Sequence, residues 1–344
     1  MNHQAGTNAM NASHFQFQNI LMATDFSECA RAGVETAVTI AGKFGAKLTL
    51  AHIVRDVPGA FATFDYGTGW QITPEELNRL QTELREDAEQ HLQQLVAEHR
   101  SAGLEIATET LVGLPYLAIM EAVKRHNIDL VVVGTRGMSA IKRVLVGSTA
   151  TRLARLCPVP VWIARCGVSS ETRSILVPLD FSPIGQQLLP VAASLASTLG
   201  AKLHLLHVYD VEELYGVPPL SEDTRAELSH YRRHARRVAL EKLEQSLEAL
   251  GLDHGTATLH VTQGVPHQVI NATARKLDVG LIVMGSVGRR GISGLLIGNT
   301  AEKVLHTSQC SLLVVKPPEF ARVAAKELAG ATSAEIAEPA LSGH

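Results

Sequence analysis

The segment with the clearest chemical potential is Gly134 to Thr149, GTRGMSAIKRVLVGST. Two residues separate Gly134 from Gly137, and nine separate Gly137 from Gly147. The same spacing returns at Gly285, Gly288 and Gly298, where it ends in Asn299-Thr300 instead of Ser148-Thr149. Gly134 and Gly285 each follow an apolar run that reads as a strand. Glycine permits positive φ and lets a backbone come close to a ligand. The terminal Gly-Ser-Thr opens a helix, whose unpaired N–H groups and positive dipole end suit a phosphate. Hydroxyls of Ser148 and Thr149 can donate as well. The chemistry this spacing favours is phosphate binding by main-chain amides.

Such a loop works only if something positions it, and the chain supplies the scaffold twice. Ala41 to Ile53 (AGKFGAKLTLAHI) matches Ala196 to Val208 (ASTLGAKLHLLHV) at an offset of 155, with seven of thirteen positions identical. Ile20 to Ser27 (ILMATDFS) matches Ile175 to Ser182 (ILVPLDFS) at that offset, and the Gly segments match at 151. The second copy is thus four residues shorter between its second and third strands. Copies of ~150 residues are domains, because solenoid repeats run ~20–50. The halves span about 17–166 and 172–317, with GVSSE (167–171) as linker and 318–344 as a flexible tail.

In the first half, short apolar runs at Asn19 to Thr24, Lys47 to Ile53, Ile106 to Val112, Leu130 to Val133 and Val159 to Ala164 read as strands. Helical stretches lie between them, one from the N-cap Ser27 to about Phe44 and one at Leu117 to His126. A long polar helix starts at a capping box, Thr73-Pro74-Glu75-Glu76. Strands alternating with helices predict an α/β fold: two Rossmann-like, open, parallel five-stranded sheets with helices on both faces. Pro190 falls inside the first helix of the second half and predicts a kink. The last strands, Val159 to Ala164 and Leu312 to Val315, could pair edge to edge. That pairing makes either an intramolecular pseudo-dimer or a homodimer.

Composition narrows the classes. Lys and Arg total 31 against 34 Asp and Glu, for a net charge of −3, which argues against a nucleic-acid binder. Aromatics are 4%, too few for stacking bases on rings. The N-terminus shows no basic and apolar leader, and no uncharged stretch reaches ~18 residues, so a cytoplasmic protein without a membrane span is expected. Cys29, Cys157, Cys166 and Cys310 make no CxxC pair and suggest no disulfide framework. Cys29 reads as a small buried residue, although a helix's first turn could favour its thiolate. His230 and His234 have helical metal spacing but no third ligand nearby and four arginines around them, so no metal site is expected.

Gly-x2-Gly-x9-Gly-Ser/Thr after a strand, with Asp-Phe-Ser after the first strand and Leu-x-His-Val/Ile at the second, resembles the universal stress protein family. The resemblance covers both halves, so the chain looks like a tandem member. Family members with this Gly pattern bind ATP and those without it do not; the chain resembles the binders. The resemblance implies ATP as ligand, with or without Mg2+. Asp25 and Asp180 would contact the nucleoside, and the backbones of Ile53 and Val208 would read adenine. Gly134, Gly137, Gly147, Ser148 and Thr149 would cradle phosphates in one half, and Gly285, Gly288, Gly298, Asn299 and Thr300 in the other. Asn299 departs from the family's Ser/Thr; it caps helices well but is bulkier. From the residues alone, Asp25 and Asp180 could equally cap the helices that follow, and His52 and His207 read as structural.

Neither a Walker lysine motif nor the Rossmann Gly-x-Gly-x-x-Gly is present. Arg136, Lys142, Arg143, Arg289 and Arg290 could neutralise phosphates, but no acid and base pair stands out to activate water. The expected function is a non-enzymatic, adenine-nucleotide-binding stress regulator. A slow ATP hydrolase, or a scaffold whose cleft is empty or holds an apolar ligand, are the alternatives.

Overall fold

The computed structural model describes residues 15–62, 73–100, 103–135, 146–209, 222–253, 255–286, 297–317 and 320. In chain order, the first half contains β1 (Asn19–Thr24), α1 (Glu28–Phe44), β2 (Lys47–Val54), α2 (Val57–Ala62), α3 (Pro74–Glu98), β3 (Ile106–Val112), α4 (Pro115–Arg125), β4 (Leu130–Gly134), α5 (Ser148–Leu156) and β5 (Val161–Ala164). The second half contains β6 (Ser174–Pro178), α6 (Pro183–Leu199), β7 (Lys202–Tyr209), α7 (Glu222–Glu248), β8 (Ala257–Gln263), α8 (Pro266–Lys276), β9 (Leu281–Gly285), α9 (Asn299–Thr307) and β10 (Ser311–Val315).

Local signals account for most boundaries. Ser27 and Ser182 cap α1 and α6, their hydroxyls accepting the N–H of Ala30 and Gly185. Both helices stop at a left-handed glycine, Gly45 (φ 65°) and Gly200 (φ 66°). The Thr73/Glu76 capping box forms with both of its hydrogen bonds. α4 starts two residues before the expected Leu117, because Pro115 has the fixed φ that suits a first turn. β5 starts at Val161, two residues after the expected Val159. α6 continues through Pro190 as one helix. The short α2 has no counterpart in the sequence reading.

The strands form one ten-stranded sheet, ordered β3-β2-β1-β4-β5-β10-β9-β6-β7-β8. Every pairing within a half is parallel, and the halves join through antiparallel β5 and β10, with Leu313 opposite Trp162. The two expected five-stranded sheets are therefore one continuous sheet. The edge pairing left open by the sequence is made inside the chain. Helices α1, α3, α6 and α7 pack on one face, through residues such as Val34, Leu92, Leu195 and Leu243. Helices α4, α5, α8 and α9 pack on the other, through Ile119, Leu153, Ile270 and Val304. Equivalent helices share a face while the joining strands are antiparallel, so the halves are related by a two-fold axis normal to the sheet. The carboxyl ends of their strands consequently point in opposite directions. No described helix is long and apolar enough to cross a membrane.

The seam carries reciprocal charge contacts. Arg165, just after β5, donates to the carbonyl of Ser308, which ends α9. Lys316, just after β10, donates to the carbonyls of Ala154 and Arg155 in the last turn of α5. Each half thus places a cation at the negative end of the other half's short helix. Burial pulls the Lys316 amine down to about 7, with the thiol of Cys157 opposing. Its ammonium also lies 4.5 Å from the centre of the buried Phe320 ring. An ion pair between Arg155 and Glu302 spans the same seam.

On the second half's outer strands, His204 Nδ1 of β7 lies 3.2 Å from His260 Nε2 of β8. Burial holds both imidazoles below the ordinary value; His260 and Lys202 add to this at His204, as Lys276 does at His260. A lowered folded-state value means that the unfolded chain binds more protons, so stability falls as pH drops through about 6.5. The first half has Thr49 where the second has His204. Chemical denaturation at pH 7.5 and 5.5 is expected to show a smaller acid loss for His204→Thr than for wild type. Equal losses would contradict this assignment.

Candidate functional site

In each half the strand order changes direction between two neighbouring strands. From β1 the chain moves outward to β2, while β4 lies on the inner side; β6 and β9 are the counterparts. Helices leave to opposite faces there, and the carboxyl ends of such strands leave a crevice for ligands. Asp25 immediately follows β1, Asp180 lies two residues beyond β6, and Gly134 and Gly285 end β4 and β9. Ile53 and Val208 lie near the ends of β2 and β7. The register aligns these ends, with Ala23 opposite Val133 and Thr24 opposite His52.

The Asp-Phe-Ser turn is built identically twice. Oδ1 of Asp25 accepts the N–H of Ser27 at 3.1 Å, and Oδ1 of Asp180 accepts that of Ser182 at 3.0 Å. The carboxylates therefore shape the turn, while the caps of the helices that follow are Ser27 and Ser182 and not the aspartates. Between them and the serines, Phe26 (φ 63°) and Phe181 (φ 59°) occupy the left-handed region, unusual and strained for a bulky residue. What holds them is stacking: Phe26 lies 4.5 Å from the His52 ring and Phe181 4.3 Å from the His207 ring. Each histidine is fixed from behind, Nδ1 of His52 lying 2.8 Å from the Thr24 carbonyl oxygen and Nδ1 of His207 2.7 Å from that of Leu179. Burial lowers the His52 pKa, and the hydrogen bond to Thr24 opposes the shift. The histidines are structural, as the sequence suggested. The role of the phenylalanines is not legible in the sequence beyond their repetition within Asp-Phe-Ser.

The Gly segments meet this turn from the side. Gly134 packs under the first turn of α1: a Cβ there would sit 2.9 Å from the Cys29 carbonyl oxygen and 3.3 Å from Ala30 Cα. Beyond it, Thr135 is buried; its N–H donates to Ala164 and its carbonyl accepts from Gly147 at 2.7 Å. Ser286 repeats this with Val315 and, at 2.6 Å, Gly298. Start and end of each glycine loop are thereby pinned together. Gly137, Gly288, Arg136, Lys142, Arg143, Arg289 and Arg290 lie outside the described residues, as does all of the tail except Phe320.

The pinned end of each loop is a helix N-terminus of a particular kind. Gly147 and Gly298 are the N-caps of α5 and α9, and among the described residues no side chain caps either, as is also so at α4 and α8. By contrast, serine hydroxyls occupy a first-turn amide in α1 and α6. Ser148 and Asn299 are exposed at equivalent first positions, with Thr149 and Thr300 half-buried behind them. Each half therefore offers amides without a side-chain cap among the described residues, at the positive end of a helix dipole whose negative end holds a cation from the other half.

Cys29 and Cys166 are joined by a disulfide, against the expectation from the cysteine pattern. Their separation of 137 residues hides the pairing in sequence, and the fold brings their Cα atoms to 4.6 Å. Among the described residues, no group of three or more metal-ligating side chains occurs.

Residues 16–165 and 171–316 each match the universal stress protein family, so the chain belongs to that family as a tandem member. Its curated relatives include universal stress protein E of Photorhabdus laumondii, 24% identical over 314 residues that cover 88% of this chain and 96% of the relative. The protein of the same name from Escherichia coli K12 is 25% identical over 313 residues, covering 88% and 95%. Among solved structures, a universal stress protein from Archaeoglobus fulgidus superposes with a TM-score of 0.63 at 21% identity, covering 88% of this chain and 99% of that one. The structural likeness establishes the fold.

The contact under Gly134 is directly testable. Gly134→Ala forces backbone against backbone and is expected to cost ~1–3 kcal/mol. Gly42→Ala, in α1 with nothing within 4 Å of the new Cβ, is expected to be neutral or to stabilise by up to ~1 kcal/mol. Urea denaturation of the two variants reports the difference, and equal stabilities would contradict the packing described.

Proposed function

We propose that this universal stress protein binds adenine nucleotides, ATP foremost, at the carboxyl ends of β1/β4 and β6/β9, and acts as a non-enzymatic stress-response regulator. The observation that carries the reading is the pair of uncapped helix N-termini at Gly147 and Gly298, each tied to the end of a central strand at a topological switch point. Free amides converging at a positive dipole end fit a phosphate chain and give little to an apolar ligand.

In this reading Gly134, Gly137, Gly147, Ser148 and Thr149 hold phosphates in the first half, and Gly285, Gly288, Gly298, Asn299 and Thr300 do so in the second. Asp25 and Asp180 face the nucleoside, and the main chains of Ile53 and Val208 read the base. Mg2+ would enter with the triphosphate and supply charge neutralisation there. Nucleotide binding stabilises whichever conformation prefers it, which is how a binder without turnover acts as a regulator. The two halves serve as an intramolecular pseudo-dimer, with sites opening toward opposite ends of the sheet. Cytoplasmic residence fits such a role.

The test uses charge at the exposed first position. Ser148→Glu and Asn299→Glu each place a carboxylate at a helix N-terminus, which favours the helix by ~0.3–1 kcal/mol while repelling phosphate. Calorimetric titration with Mg-ATP is expected to give two sites in wild type, one in each variant and none in the double variant, with folding unimpaired. Wild-type protein that takes up no adenine nucleotide, and carries none when denatured and examined by mass spectrometry, would refute the proposal. Phosphate release from the same samples decides the hydrolase alternative: a rate that the double variant abolishes would establish turnover at these sites.

A further inference from the structure

The first half carries a bond that its repeat cannot make. Cys29 is the second residue of α1 and Cys166 lies two residues beyond β5. At the repeat offsets of 155 and 151 their counterparts are Ile184 and Pro317. The remaining cysteines behave differently. Cys157 and Cys310 are buried free thiols, and burial pushes Cys157 up to about 11 and raises Cys310 as well. Cys29 and Cys166 are both partly exposed. Cys29 also sits in the first turn of α1.

The bond lies against the first candidate nucleotide site. The carbonyl oxygen of Cys29 abuts Gly134, and the N–H of Cys166 points to Thr135 Oγ1 at 3.5 Å. Thr135 in turn holds Gly147, the N-cap whose helix offers its free amides. Asp25 and Ser27 directly precede Cys29 in the same turn. One covalent bond therefore ties the nucleoside-side turn, the strand end and the start of the phosphate helix into a single cluster. The second half shows the cluster without the tie. Pro317 has no N–H to donate, and the hydroxyl of fully buried Ser286 has no hydrogen-bond partner among the described residues.

We propose that Cys29 and Cys166 are a reversible thiol–disulfide modification site whose oxidised form raises the nucleotide affinity of the first half and leaves the second half unchanged. This rests on the nucleotide-binding reading above. Opening needs a low-molecular-weight thiol such as glutathione. Its thiolate attacks one sulfur, forming a mixed disulfide and releasing the other cysteine as a thiolate. A second thiolate attacks the mixed disulfide, expelling the second cysteine and leaving a small-molecule disulfide. Two electrons pass to the protein, and the protons of the two small thiols end on Cys29 and Cys166. Closure is the reverse, with the small-molecule disulfide as oxidant. The tied form binds better because the cluster is already ordered before the ligand arrives.

The experiment uses the full chain carrying Asn299→Glu, which leaves the first site to be read alone, with Ser148→Glu as the mirror control. Each is equilibrated with glutathione disulfide or with reduced glutathione, then titrated with Mg-ATP. Thiol counts in denaturant are expected to be two per chain when oxidised and four when reduced. Reduction is expected to weaken the first site about five-fold or more and to leave the second unchanged. Cys29→Ser is expected to match the reduced protein in both buffers. Four thiols under oxidising conditions, or equal first-site affinities in the two states, would overturn the switch while the nucleotide reading stands. No uptake at either site in either state would overturn both.

Discussion

The antiparallel pairing of β5 with β10 is the constraint from which the rest of the architecture follows. Each half is a parallel sheet that ends in a strand with one open edge, and an apolar open edge invites another strand. Joining the two edges inside one chain fuses ten strands and makes both helix layers continuous across the seam. It also sets the two-fold relation, so the crevices face opposite ends. Arg165 and Lys316 follow the joining strands directly, and the antiparallel crossing carries each to the far half's helix terminus. Swapped capping of this kind is a consequence of the crossing and needs no further device.

Capping differs among the helix ends, and the starts of α4 and α8 lack a side-chain cap bond as those of α5 and α9 do. Serine hydroxyls close the N-termini of α1 and α6, whereas α5 and α9 start at glycine and, among the described residues, have no side-chain cap on their first amides. Such amides are costly to bury without a partner and useful where an anion can reach them. The strained Phe26 and Phe181 belong to the same design. A left-handed phenylalanine folds the turn back onto a histidine locked to the strand end, beside the aspartate that accepts the serine N–H.

The element order, the internal repeat, the capping box at Thr73 and the glycine segments were legible because each is a local signal or a recurrence at a fixed offset. Boundaries slipped where proline chemistry decides, as at Pro115. What stayed hidden depends on contacts between distant segments. The Cys29–Cys166 bond needs the first turn of α1 to cross the end of β4, and a chain separation of 137 residues gives no hint of it. The roles of Arg165 and Lys316 need the seam, and the sequence left open whether that seam forms within one chain or between two. Asp25 was balanced between two roles; its hydrogen bond to Ser27 gives it a turn-forming one without removing it from the crevice.

In the proposed function, the first-turn amides of α5 and α9 hold the nucleotide's phosphates. Site-resolved amide hydrogen exchange with and without ATP measures those groups themselves. Exchange is expected to slow at residues 148–150 and 299–301 when ATP is present, with little change at the serine-capped starts of α1 and α6. Saturating ATP that leaves those six amides exchanging at their free rate would contradict it.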